Sequence, residues 1–172
     1  LLCAGEGGVV MIPSGVVAQA VQEDGADILS IARGTGFFSE EEVACVDELW
    51  QEFIQAGVNA SGYDFQVFKL DGELLGFACF GPRPLTSGVY DLYWLATDAR
   101  HQGKGVGKAL LRTVEQEVRR AGGHLLIAET SGKELYAPTR AFYLAAGYKL
   151  EATLRDGYSP GEDMVIFTRH FS

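Results

Sequence analysis

The part of this chain that most restricts its fold lies between residues 88 and 130. GVYDLYWLAT is a long apolar and aromatic run, DARHQGKGVG is a loop carrying three glycines, KALLRTVEQEVRR has helical period, and HLLIAET is a second apolar run. HLLIAET is too apolar in its centre to be solvated on one face, so it reads as a buried strand. Two strands joined through a crossover helix pair in parallel, whereas an antiparallel partner needs only a short turn. In the helix, Leu111, Val114, Val118 and Ala121 make one apolar stripe, Lys108, Arg112, Glu115 and Arg119 line a separate polar face, and Gly122-Gly123 ends it.

Antiparallel pairs flank this unit. YDFQVFKL and ELLGFACFG surround Asp71-Gly72, the two-residue signal for a tight hairpin. YKLEATLR and DMVIFTRHF finish the chain as two strands joined by the turn-rich DGYSPGE. Ahead of them, GVVAQAV (15 to 21) reads as a first strand and EDGADILSIARG as a short helix behind it. SEEEVACVDELWQEFIQAG opens with Ser39 and carries Glu42 three residues on, a capping box, after which Val43, Val46, Leu49, Trp50 and Phe53 follow at helical spacing. PTRAFYLAAGY is a further helix, stopped at Gly147. No repeat, low-complexity tract or linker divides the chain, and 172 residues with 47% apolar content suffice for one compact domain. The expected fold class is mixed α/β: a central, mostly antiparallel twisted sheet with one parallel strand pair, flanked by helices. A flexible tail over 1–14 is expected to precede a single domain over 15–172.

Composition removes several classes of function. The formal charge of -9 argues against broad nucleic-acid binding, which needs a basic face to replace phosphate counterions. No apolar run approaches the ~18 residues that span a bilayer. The start, LLCAGEGGVVMIPSG, lacks both a basic n-region and a continuous apolar h-region, so it does not read as a signal peptide. Cys3, Cys45 and Cys79 are odd in number and show no CxxC spacing, which indicates neither a disulfide framework nor a zinc site. They read as buried free thiols of a reducing cytosol, and a cytoplasmic protein without a bound metal is expected.

Against that acidic background the glycine loop stands out. A strand feeding a glycine-rich turn and then a helix presents unpaired amides and the positive end of the helix dipole at one point, which is an anion site. Arg100, His101, Lys104, Lys108 and Arg112 add local positive charge. Phosphate is the natural occupant. A Walker loop fails because Gly107-Lys108 is followed by Ala109 rather than Ser or Thr. A dinucleotide fingerprint fails because the last position falls on Lys108 counted from Gly103, or on Leu110 counted from Gly105. The plain alternative is a helix start with solvated lysines, but a mere connector does not require three glycines, each of which costs folding entropy.

Through Gln102, Gly105 and Gly107, QGKGVG resembles the Q/R-x-x-G-x-G/A loop of the GNAT acetyltransferase superfamily. The resemblance runs from about residue 15 to the C-terminus and includes AFYLAAGY as the family's F-Y-x-x-x-G-F/Y helix, while FACFGP, YDLYWLA and YAPTRAFY resemble a bacterial branch of it. It implies an acetyl-CoA-dependent N-acetyltransferase that moves an acetyl group to a primary amine of a small molecule or peptide by direct attack in a ternary complex. Gln102, Gly103, Lys104, Gly105, Val106, Gly107 and Lys108 would grip the pyrophosphate of coenzyme A. Leu95, Ala96 and Thr97 end the long strand, where family members use backbone groups to pair with the pantetheine arm and polarise the thioester carbonyl. Thr139 and Phe142 fall on the helix that completes the cofactor contacts. The family often shows N-x-x-A-x-x-F-Y there, its asparagine touching coenzyme A, and this chain has Tyr136 and Thr139 instead.

Two catalytic candidates follow from the same resemblance, each with an alternative. Tyr143 matches the tyrosine that typically protonates the departing thiolate; its neighbours Ala141, Leu144 and Ala145 also suit a core residue with its hydroxyl at the edge. Asp91 falls where some relatives carry a general base, acting through water because an ordinary carboxylate is a weak base for an alkylammonium. It equally suits a structural partner of a nearby Arg or Tyr. For the acceptor, GTGFFSEEE and RDGYSPGED suggest Phe37, Phe38 and Tyr158 as pocket walls and Glu129 or Glu162 as the holder of a cation; ordinary core aromatics and a solvated acidic rim are the alternative. Many relatives are dimers, so a homodimer is among the implied assemblies. A reading from another class is a non-catalytic coenzyme A-binding sensor or interaction module that keeps the loop without transfer.

Overall fold

The structure, a computed structural model, describes residues 14–172. The expected tail, apart from Ser14, lies outside the described residues, and so does Cys3. Strand β1 (Val16–Gln19) leads through a 3-10 turn into α1 (Gly25–Gly34), α2 (Glu40–Ala56) and the single turn α3 (Val58–Ser61). The hairpin β2 (Asp64–Leu70) and β3 (Glu73–Pro82) precedes β4 (Val89–Thr97), α4 (Val106–Arg120) and β5 (Leu125–Ser131). Helix α5 (Ala137–Ala145) and the hairpin β6 (Lys149–Ser159) and β7 (Glu162–His170) complete the domain. The seven strands form one sheet in the order β1-β2-β3-β4-β5-β7-β6. Every neighbouring pair is antiparallel except β4 and β5, as the crossover demanded.

Local chemistry explains the element ends. Glu42 N–H donates to Ser39 Oγ at 3.2 Å and Ser39 N–H donates to Glu42 Oε2 at 2.7 Å, so the capping box of α2 closes in both directions. Asp71 and Gly72 take φ of 51° and 83°, the left-handed pair that a two-residue hairpin turn needs. Helix α4 ends one residue before the stripe read from its sequence. Ala121 is exposed, and the amides of Gly122 and Gly123 bond back to Arg119 and Val118, so the chain leaves the helix there.

The sheet has two apolar faces. Val106, Leu110, Leu111, Val114 and Val118 of α4, with Tyr143 of α5, cover Phe68, Leu75, Leu92, Leu126 and Phe167. Ile28 and Ile31 of α1, with Val43, Val46, Trp50 and Phe53 of α2, cover Phe65, Val67, Phe77 and Ala96 on the other side. Cys79 is buried there, but Cys45 is exposed, contrary to expectation, because the inward stripe of α2 runs through Val43, Val46, Trp50 and Phe53 and leaves position 45 outside it. The last hairpin also differs from its sequence reading: β6 continues through DGYS to Ser159. The register slips between Leu154 and Ser159, and Asp156 (φ 56°) accepts from Gly161 N–H at 2.7 Å, so turn-forming residues are absorbed as a bulge inside paired strands.

Candidate active site

One irregularity in β4 opens the sheet. The β3–β4 register passes from Cys79↔Trp94 to Phe80↔Leu92, leaving Tyr93 as an extra residue. As a result Tyr93 and Trp94 both pack toward α1 and α2, while Leu92 and Leu95 face α4. The parallel ladder to β5 stops at the same place: it joins Val89–Leu92 to Leu125–Ala128 and goes no further. Beyond it β4 stays on β3 and β5 stays on β7, so the two strands diverge and the inner edge of Tyr93–Thr97 keeps amides and carbonyls that no strand pairs among the described residues. A cleft of about 1380 Å³ fills the gap.

At the top of the cleft the glycine loop turns β4 into α4. Asp98 Oδ1 accepts from Arg100 N–H at 2.9 Å and closes a 3-10 turn. Gly105, at φ 88°, is the N-cap of α4, and the first helical bond runs from Ala109 N–H to Gly105 O at 3.0 Å. The amides of Val106, Gly107 and Lys108 therefore have no acceptor within the helix, and all three residues line the cleft. A Cβ on Gly105, which lines the cleft, would meet nothing within 4 Å among the described residues, so there is room for an anion beside it. On Gly107 it would meet Thr97 Oγ1 at 3.5 Å and the Phe142 ring at 3.7 Å, which seats the helix start between the end of β4 and α5. The basic cluster expected here is smaller than the sequence suggested. Arg100 is held by Asp98 and by Glu73 at 2.9 Å, and Lys104 is absent from the lining of the cleft. Lys108 remains as the lysine of the loop that lines it.

The other predicted residues meet in the same cleft: Leu95, Ala96, Thr97, Gln102, Gly103, Thr139, Phe142, Tyr143, Asp91, Phe37, Phe38, Glu129 and Tyr158. Tyr143 is only 5% exposed and packs against the rings of Phe142, Tyr148 and Phe167. Burial, helped by Tyr158 nearby, pushes its phenol far above the ordinary range, so it stays neutral and able to donate. Asp91 takes the structural partner left open by its sequence context: its Oδ1 accepts from Arg83 Nη1 at 2.9 Å. Burial raises the Asp91 pKa and the Arg83 charge opposes the rise. Tyr158, carried into the cleft by the extension of β6, is pushed up to about 12 by burial and then by Glu129, Glu42 and Glu162. Glu162 cannot serve as a free cation holder, because Lys133 Nζ lies 2.6 Å from its Oε2 and Ser131 Oγ donates to its Oε1 at 2.8 Å. Those bonds hold its carboxyl below the usual range.

A match to the acetyltransferase (GNAT) family covers residues 27–148. The chain belongs to the GNAT family. A GNAT-family protein from Desulfovibrio desulfuricans is 40% identical, with a TM-score of 0.88 over 91% of this chain and 99% of that one. The PaiA N-acetyltransferase of Thermoplasma acidophilum, solved with coenzyme A, shares the fold at 20% identity and a TM-score of 0.73, over 92% of this chain and 99% of its own. Mouse N-acetyltransferase 8B is 29% identical over 115 residues, 65% of this chain and 49% of that protein, so the chain spans about half the length of the curated relatives it matches. Several GNAT cleft residues had no individual signal in the sequence. Trp94 packs edge-on against Phe38 at 5.1 Å, and Arg83 and Lys133 occupy the carboxylates of Asp91 and Glu162. The departure from the family pattern at Tyr136 was visible, but its partner was not.

Proposed function

We propose that this chain is an acetyl-CoA-dependent N-acetyltransferase acting on a primary amine of a small molecule or peptide, by direct transfer in a ternary complex. The observation that carries the reading is the meeting, in one cleft, of unpaired amides at the start of α4, an unpaired strand edge and a buried neutral phenol. Acetyl-CoA supplies a thioester whose carbonyl carbon is open to attack by an amine. The amides of Val106, Gly107 and Lys108 bind pyrophosphate oxygens with the helix dipole behind them, and Gln102 and Gly103 shape the approach. The free edge of Leu95, Ala96 and Thr97 pairs with the pantetheine arm and places an amide on the carbonyl oxygen. Thr139 and Phe142 enclose the arm from α5. As the carbon–sulfur bond breaks, Tyr143 gives its proton to the departing sulfur and regains one from the excess proton left on the attacking nitrogen, by way of water in the cleft. On the opposite side of the sheet, Asp91 takes a proton from the acceptor ammonium through water, using Oδ2, which has no hydrogen bond among the described residues. Phe37, Phe38 and Tyr158 wall the acceptor, and Glu129, in the same lining, meets the acceptor ammonium as it binds, before that proton is lost.

With an amine that sustains turnover, Tyr143→Phe is expected to lower kcat by about 10²–10⁴-fold, the range of a lost general acid. The acetyl-CoA dissociation constant should stay within about twofold, because the ring and its packing remain. Equal loss of turnover and affinity would remove the acid role.

A further inference from the structure

After β5 the chain does not run straight into α5. From Ser131, the last residue of β5, to Tyr136 the chain lines the cleft through Ser131, Lys133, Leu135 and Tyr136 and is fastened to three other parts of the domain. Ser131 Oγ and Lys133 Nζ hold Glu162 of the last hairpin at 2.8 and 2.6 Å. Arg140 Nη1 of α5 donates to the carbonyls of Ser131 and Lys133, both at 2.8 Å. Tyr136 reaches in the opposite direction, and its hydroxyl donates to the carbonyl of Phe37 at 2.9 Å, across 99 residues of sequence. Its ring also lies against the Phe37 ring, centroids 5.7 Å apart.

Phe37 sits in the short connection between α1 and α2. Gly36 turns it at φ 69°, Thr35 Oγ1 accepts from Phe37 N–H at 3.2 Å, and Phe38 packs on Trp94. This connection brings two aromatic rings to the acceptor side of the cleft. Helix packing does not supply the bond from Tyr136, which comes from a 3-10 turn (Glu134–Tyr136) distant in sequence from the connection. Tyr136 also lines the cleft with its hydroxyl already committed to Phe37.

We propose that Tyr136 is the positioning residue of the acceptor wall: by holding the Phe37 carbonyl it fixes the α1–α2 connection over the cleft, so that acceptor binding depends on it and acetyl-CoA binding does not. The reading of that wall as the acceptor's rests on the transferase function proposed above. Residues 131–135 act as the rigid base of the strap, anchored by Arg140 and Glu162, and Tyr136 is the point at which it meets the wall.

Tyr136→Phe keeps the ring and deletes one hydrogen bond. Amide exchange of residues 36–39 should then accelerate by about tenfold, the size of one lost hydrogen bond. The acceptor KM should rise several-fold with kcat within about twofold, and the calorimetric dissociation constant for acetyl-CoA should not change. Unchanged exchange at residues 36–39 would overturn the proposal, and so would an equal loss of acetyl-CoA affinity, which marks a general structural role. Absence of amine-dependent turnover in the wild type would instead overturn the transferase reading. The exchange measurement and acetyl-CoA calorimetry need no turnover, and in that case they alone decide whether Tyr136 holds the wall.

Discussion

The two sides of the cleft are made in different ways. The side at the glycine loop is built from backbone on one continuous piece of chain, from the free edge of β4 through Gly105 to the first amides of α4. The side at the α1–α2 connection is built from side chains brought from four places: Phe37 and Phe38, Trp94, Glu129, and Tyr158 on the extension of β6. On the transferase reading proposed above, these backbone groups would bind what any acyl donor of this type has in common and would tolerate changes of side chain. On the same reading the side chains would distinguish one acceptor from another, and each could change without disturbing the donor site. One fold can thereby keep its donor and exchange its acceptor.

Variants on either side should separate these properties. The largest effect on binding is expected on the backbone side. Gly107→Asp puts a carboxylate among the amides of α4, which suits the helix dipole but repels a pyrophosphate. A Cβ there makes only ordinary contacts, so the fold should persist. Acetyl-CoA affinity by calorimetry should fall by about 100-fold or more with little change in Tm, whereas retained affinity would mean that the loop is not the anion cradle. On the side-chain side, Glu129→Gln should raise the acceptor KM by about tenfold, the size of one charge-assisted contact, and leave acetyl-CoA affinity unchanged. An unchanged KM would place the acceptor's charge elsewhere.

The smallest effect concerns the turn that aims the loop. Hydrogen bonds from Arg100 hold the Asp98 carboxyl at about 2, below its ordinary 3.8. A depressed carboxyl stabilises the fold above the unfolded value and loses that contribution as pH falls through the folded one. Asp98→Ala should lower Tm by roughly 2–4 °C at neutral pH, as loss of a capping residue does in a chain of this size. The gap from wild type should narrow as pH drops from about 3.8 toward about 2. A gap independent of pH would show that the Asp98 charge does not stabilise the turn.

The same division explains what could be read before the structure. The parallel pair, the Asp71-Gly72 hairpin, the capping box of α2 and the glycine loop are local, and each depends on residues within a few positions of one another. The bulge at Tyr93 has no residue-type signal of its own: it appears only when β4 is laid against β3, and yet it opens the cleft. The bond from Tyr136 to Phe37 and the capture of Glu162 by Lys133 join distant segments. The length of β6 was misread because Asp156, Gly157 and Pro160-Gly161 are turn formers by composition, and paired strands can absorb such residues as a bulge. Arg100 looked like part of the phosphate site because charge alone was visible, and its partners Asp98 and Glu73 were not.

Thiol release from acetyl-CoA by the purified protein, with pooled amines, amino acids and N-terminal peptides and counted against acetylated product, separates transfer from binding alone. A transferase should release thiol only when an amine is present, one thiol for each acetyl group transferred. Tight binding of acetyl-CoA with no release on any pool would contradict the transferase reading and leave a domain that senses coenzyme A without catalysis.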